Sequence, residues 1–433
     1  MNGGSAGVGG GAGGTGGSPE PTTHVVVEAY QQDFKPVPDA DVVVSNSDGT
    51  FVSRHKAGQD GAVDVVVPPD GTVSAFKKVD YVQSDGVRVQ ARGASTVLRV
   101  GDHPEQIYVE LFNFDPQPPP PVDPTPMTVT VNATSSEPGA DAYWDVWMPC
   151  RNYGTIHAPA GSGSVTMQVK PCTGEQVLDI WVFVRKADEL VRYGTLLDEP
   201  FVAGGTKTVN IAANKISFSD HEFNITAIPS GATEGSVRVF PRRVNRDTSL
   251  DLGRYIHPPG PEEVLSLRIP QESFKDVTTT LGISLPQNRS LSAVRIGQVA
   301  PAQMNWAAAT VLSPFSTSTT VGLTTSRPEV AWQLDGSAVG DAIWGSLHAY
   351  DGTNGMVVWD FVAPPAAAGT MKLPSLPSDL EQFITSPPDN RYVTLLSYDA
   401  IATTGYDQVI AKSAGFHEPN GNYSSIYFDS TGQ

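Results

Sequence analysis

The sequence predicts an all-β protein, a tandem array of β-sandwich domains with a disordered Gly-rich N-terminal tail and one short helix near residues 378–385. Three observations carry this expectation. Glycine (42) and proline (36) are abundant in the 433 residues beside Val, Thr and Ser; the first two make turns, while Val and Thr suit a pleated surface. Runs that alternate apolar and polar residues are broken by turn signals roughly every eight to twelve residues, the spacing of a sandwich. Helix-forming runs of Leu, Glu, Lys and Ala are nearly absent. A chain of this length exceeds one hydrophobic core, so several domains are expected.

Residues 1–23 open with ten glycines in the first seventeen positions and hold no apolar run, so they read as a disordered tether. Residues 24–115 form the first strand series, including "HVVVEAY", "DADVVVSN", "AVDVVVP" and "QIYVELF". Its turns are "SDGT", "GQDG", "PPDG" and "QSDG"; Gly accepts positive φ, and Asp bonds its own backbone. Residues 116–126 belong to "DPQPPPPVDPTP", where seven of twelve residues are proline, so a stiff polyproline II spacer of roughly 35 Å is expected. Three further sandwiches follow at 127–213, 214–312 and 313–433. The helix is expected because Ser378 and Glu381 make a capping box after Pro377.

Within the first series, "KPVPDADVVVSNSDGTFVSRHKAGQDGAVDVVVPPDGTVSAFKK" resembles the carboxypeptidase regulatory-like family. Val37, Ala40 and Val42 match its first strand, Asp48-Gly49 its hairpin, Gly58 to Gly61 its second turn, and Val67-Pro68 with Gly71 its third. The resemblance spans about a fifth of the chain. It implies an Ig-like or transthyretin-like sandwich that serves secreted proteins as a non-catalytic module, and it brings no catalytic residues. The glycine-rich start is similar to the region after the lipidated cysteine in exported lipoproteins of myxobacteria-like organisms, a group of unknown function. No such cysteine is present, and Met1 is read as standing in place of a removed signal and anchor.

The net charge of −18 argues against nucleic acid and against anionic lipid as partners, because both require a basic footprint. The one basic cluster, "FPRRVNRD" with Arg242, Arg243 and Arg246, reads as a solvated strand end. No run of eighteen apolar residues offers a membrane span. Contact with a membrane is expected only through a removed N-terminal lipid anchor, and the location expected is extracytoplasmic, at the cell surface or secreted. Cys150 and Cys172 follow proline-containing turns within one expected domain, and they read as a disulfide formed in an oxidising compartment.

No local motif carries catalysis: there is no G-x-S-x-G elbow, no P-loop and no metal-binding His spacing. "SDHEF" (Ser219 to Phe223) is the densest polar knot and reads as a domain-junction turn. "SNSDGT" and "AYDGTNG" could hold Ca2+ weakly through Asp351, Asn354 and their like, but they serve fully as hairpin turns, so no cofactor is expected. "AYWDVWM" gathers Tyr143, Trp144 and Trp147, rings that could stack on sugars if exposed and that fill cores otherwise. The expectation is a non-catalytic, surface-tethered structural or interaction module whose partner is a protein or a cell-surface glycan. Two alternatives stand beside it: a carbohydrate-binding protein using those rings, and an enzyme whose site is assembled from distant strands.

Overall fold

The computed structural model describes residues 21–29, 34–82, 88–100, 104–111, 125–136, 142–148, 152–156, 162–170, 176–186, 189–243, 249–322, 327, 329–351, 355–383, 391–400, 405–412 and 420–429. The glycine-rich start, most of the proline segment, Cys150, Cys172, Arg246 and Asn354 lie outside them.

The first segment contributes β1 (Thr23–Ala29), β2 (Lys35–Pro36), β3 (Asp41–Ser45), β4 (Phe51–Lys56), β5 (Ala62–Val65), β6 (Thr72–Val82), β7 (Arg88–Val97) and β8 (Gln106–Leu111). β1 pairs with β2, β5 and β8 in one small sheet, while β4-β3-β6-β7 form a second layer. Val25 and Val27 of the first layer pack against Val42, Val44 and Val73 of the other.

After the proline segment come β9 (Met127–Thr134), β10 (Ala142–Met148), β11 (Asn152–Ile156), β12 (Ser162–Val169), β13 (Val177–Lys186), β14 (Glu189–Pro200) and β15 (Thr206–Ala212). They make a self-contained sandwich of β11-β10-β13-β14 over β12-β9-β15.

Next are β16 (Phe218–Thr226), β17 (Glu234–Arg242), β18 (Leu252–Ile256), β19 (Glu263–Pro270), β20 (Asp276–Leu285), β21 (Arg289–Gly297) and β22 (Gln303–Ala307). The last segment holds α1 (Ala308–Val311), β23 (Thr320–Gly322), β24 (Glu329–Gln333), β25 (Ala342–Asp351), β26 (Gly355–Ala363), β27 (Ala368–Lys372), β28 (Arg391–Ala400), α2 (Tyr406–Ile410) and β29 (Gly421–Asp429).

Three of the four strand groups are fused. A continuous twelve-stranded sheet runs β18-β17-β20-β21-β29-β28-β25-β26-β7-β6-β3-β4. Its two seams join edges that would otherwise expose unpaired backbone groups. At one seam β21 pairs with β29 antiparallel, Leu291 opposite Ser424; at the other, β26 pairs with β7 in parallel, Trp359 beside Ala94. The sandwich that precedes the proline segment is therefore hydrogen-bonded to the last one.

Small sheets back this platform: β19-β16-β22 and β23-β24-β27 on one face, and the β1 sheet on the other. That arrangement explains the unbroken apolar run in β3. Val42 and Val44 face the first core, whereas Val43 points the opposite way and packs with Phe76, Phe383 and Trp359. α2 enters the first core as well, with Val409 and Ile410 buried there and the Tyr406 hydroxyl donating to the Leu98 carbonyl at 2.5 Å.

Of the helix expected near 378–385, the described residues hold a single 3-10 turn, Glu381–Phe383, docked on that shared face. Phe383 and the preceding Leu380 are both buried, so packing holds it on the core. α1 and α2, each about one turn long, had no sequence signal because neither carries a side-chain cap.

Candidate functional site

The second sandwich is clamped to the third, and the junction holds a polar concavity. β13 carries the clamp. Its sequence VLDIWVFVRK is buried on both faces: Ile180, Val182 and Val184 fill the core of its own sandwich, while Trp181 and Phe183 point into the core of the next. Trp181 stacks on Phe183, Tyr193 and Phe274 at centroid distances of 5.9, 6.4 and 6.3 Å. Strand alternation places Asp179 on that second face too, 2% exposed at its side chain.

Asp179 is neutralised by Arg243, whose Nη1 donates to Oδ1 at 2.8 Å and Oδ2 at 2.7 Å, while the Asp198 amide donates to Oδ1 at 3.0 Å. Burial alone would lower the Arg243 pKa, but its bonds to Asp179 raise it above the ordinary value. Arg242 forks onto Asp276 of β20 through Nε, at 3.0 and 3.1 Å. Of the cluster read as a solvated strand end, Arg243 thus clasps Asp179 across the domain junction, Arg242 is ion-paired within the third sandwich, and Arg246 lies outside the described residues. Sequence could not reveal this, since the partner acids lie 34 and 64 positions away.

Towards the other end of β13 lies a cavity of about 210 Å³, lined by Arg185, Glu189 and Leu190 of the second sandwich and by Asp220, Leu252–Arg254 and Ser266–Arg268 of the third. β19 alternates around it, with Leu265, Leu267 and Ile269 turned into the core and Ser266 and Arg268 outward. Arg254 Nη1 donates to the Ser266 carbonyl at 3.3 Å. Arg268 Nε donates to Asp220 Oδ1 at 3.0 Å, and its Nη1 reaches the Leu190 carbonyl at 3.4 Å. Arg185 Nε donates to the buried Asp145 at 2.8 Å. Three guanidiniums therefore border one small space in a chain of net charge −18.

A larger hollow of about 1070 Å³ opens beside it, lined by Ser219, His221, residues 269–275 and Val299. Ser219 lies on β16 rather than in a turn, so the turn expected at "SDHEF" is corrected: residues two apart share a strand face, and Ser219 meets His221. The Pro301 carbonyl can only accept, so His221 Nδ1 carries the proton at 2.8 Å and Nε2 accepts from Ser219 Oγ at 2.7 Å. The same Ser-x-His contact recurs at Ser53/His55 and Ser346/His348, each at 2.9 Å. A pattern repeated on three strands is a local way of satisfying a half-buried or buried imidazole. Burial pushes the His348 pKa down to about 4.

The other sequence-derived candidates fall as follows. Trp144 is 1% exposed inside the second core, which removes its ring from ligand stacking. Trp147 is half-buried against the third sandwich's core, on the junction side, and Tyr143 is half-buried on the same strand face. All seven tryptophans are described: Trp144, Trp181, Trp306, Trp332 and Trp359 are buried, and Trp147 and Trp344 pack partly buried against cores. Cys150 and Cys172 lie outside the described residues. In "SNSDGT", Asp48 Oδ1 accepts from the Thr50 amide at 2.8 Å and its hydroxyl at 2.7 Å, and the amide bond lowers the Asp48 pKa. Gly49 there sits at φ +79°, so the loop's own chemistry uses the carboxylate as a turn residue. Among the described residues no three His, Cys, Asp or Glu side chains are placed to hold a metal ion. The residues that build the polar cavity, Arg185, Arg254 and Arg268, carried no local motif; only the alternation of "EVLSLRIP" signalled that Arg268 faces outward with Ser266.

No family model matches the chain, and no curated protein matches it. Among solved structures it is similar to a streptococcal ancillary pilin, at 10% identity over 66% of this chain and 98% of that one, TM-score 0.14. It is similar also to two B repeat units of the collagen-binding protein of Staphylococcus aureus, at 9% identity over 82% of this chain and 93% of that one, TM-score 0.13. A third is a putative adhesin from Bacteroides ovatus, at 9% identity over 66% and 89%, TM-score 0.15. At TM-scores of this size the superpositions say nothing about ligand or partner.

Proposed function

We propose that the chain is a non-catalytic interaction scaffold, displayed outside the cytoplasm, that presents a rigid face to a protein or a cell-surface glycan. The observation that carries this reading is the fusion of its parts. Three sandwiches share one twelve-stranded sheet, and the fourth is held by a buried aromatic stack and the Arg243–Asp179 pair. Domains joined by small polar interfaces move relative to one another, whereas a large apolar junction fixes their geometry. Fixed geometry favours presenting a surface of constant shape, because little ordering entropy is then lost on binding. The extracytoplasmic placement rests on composition, the glycine-rich lead and the two cysteines, with a lipid anchor as the proposed tether.

The test is to immobilise the full chain and offer it arrays of glycans and extracellular-matrix proteins, alongside a panel of ester, glycoside and peptide substrates. Saturable binding without turnover supports the scaffold reading. Turnover of any substrate that is lost on substituting a residue of either hollow overturns it.

A further inference from the structure

We propose that the cavity between the second and third sandwiches binds one carboxylate-bearing sugar residue, a uronate unit of an acidic glycan; this deepens the scaffold reading and rests on it. The first argument is unspent donor capacity. Arg254 uses one N–H, on the Ser266 carbonyl, and Arg268 uses its Nε on Asp220 and one Nη1 proton on Leu190. Most N–H donors of both guanidiniums remain, and planar forks of this kind match a carboxylate bidentately. The Asp220 partner is 76% exposed at its side chain, so water competes for that ion pair and a ligand carboxylate can displace it. Ser266 and Arg268 stand on one face of β19, and Arg254 reaches across to that strand, so the two cations converge at one strand edge.

The second argument concerns what surrounds the forks. Glu189 and Asp220 carboxylates and the Ser266 hydroxyl can accept hydrogen bonds from the hydroxyls of a sugar whose carboxylate sits on the forks. Leu190, Leu252 and Leu267 also line the cavity, and their side chains pack into the core of the third sandwich behind it. The volume, about 210 Å³, lies below the ~300–1,000 Å³ of pockets for drug-sized ligands and suits a single ring.

The experiment is calorimetric titration of the full chain with a trigalacturonate, its neutral counterpart galactotriose, and hexaglutamate. Saturable binding of the uronate is expected, at least about tenfold tighter than the neutral sugar and weakening with added salt. Arg254→Gln and Arg268→Gln should each weaken it by about tenfold, and Arg254→Lys, which keeps charge without the fork, should fall between. Arg254 is exposed, so its variants should keep the parent's melting temperature and circular dichroism. No uronate binding at millimolar ligand overturns the proposal. So does binding that survives the double variant, or tighter binding of hexaglutamate, which would assign the cavity to acidic peptide. A partner found on the arrays that binds the double variant unchanged would sink this site and leave the scaffold reading standing, whereas turnover sinks the scaffold reading whatever the arginines do.

Discussion

Arg243→Met tests the claim that a buried charge pair holds the second and third sandwiches together. Asp179 is 2% exposed and Arg243 22% at their side chains, and one Nη1 contacts both carboxylate oxygens. Removing the guanidinium leaves an ionised carboxylate buried in the junction, where the Asp198 amide still donates to it. Breaking a buried pair from one side costs about 3–5 kcal/mol, because the remaining charge keeps its desolvation penalty. Adding Asp179→Asn removes that charge while its side-chain oxygen still accepts the Asp198 amide proton, so the double variant should recover to within about 1–2 kcal/mol of the parent. The assay is hydrogen exchange across β13 and β14 by mass spectrometry, with urea unfolding followed by tryptophan fluorescence. A loss of 3 kcal/mol corresponds to exchange faster by about a hundredfold or more at the Asp198 amide. A single variant that costs less than about 1 kcal/mol, or a double variant no better than the single, would refute the clamp.

Four other outcomes follow from the same reasoning. Trp181→Ala, which empties the centre of the aromatic stack, should cost about 3–5 kcal/mol in urea unfolding, and its effect should be far from additive with Arg243→Met because the two sites share the junction. A methyl group at Gly345 would fall inside the Phe361 ring, which is 1% exposed, so Gly345→Ala should destabilise by about 1–3 kcal/mol in thermal unfolding. Burial holds the His348 pKa at about 4, against 6.5 for the free side chain; the unfolded chain therefore takes up the proton first on acidification. Stability should fall as pH drops from about 6.5 towards 4, and that part of the slope should vanish in His348→Gln, read from melting temperatures across the range. The Cys150–Cys172 bridge proposed from the sequence should leave no thiol for alkylation in the unreduced, unfolded protein, and reduction should cost about 3 kcal/mol.

How far the sequence could be read differs from one element to the next. Strand alternation in "GSVRVFPRR" and "EVLSLRIP" was legible because each strand has one buried face, and period two records that directly. The same logic is silent for "DVVVS" and "VLDIWVFVRK", where both faces are buried and the pattern says only that something covers each side. Near 378–385 the described residues hold one 3-10 turn, and Leu380 and Phe383 pack there into a core that the local sequence does not describe. The tryptophans of "AYWDVWM" could be assigned to two faces, but whether a face met solvent or the neighbouring sandwich was not written in it.

What the amino-acid order determined by itself is the all-β character, the strand and turn chemistry, and the sign of the overall charge. These follow from backbone preferences and from residue types within a few positions of one another. Only the tertiary structure decided that three sandwiches share a sheet, that Arg243 is spent on Asp179, and that Arg185, Arg254 and Arg268 gather at one cavity. Strand-edge pairing uses backbone groups common to every residue, and ion pairing depends on spatial proximity between residues dozens to hundreds of positions apart. Neither leaves a local mark.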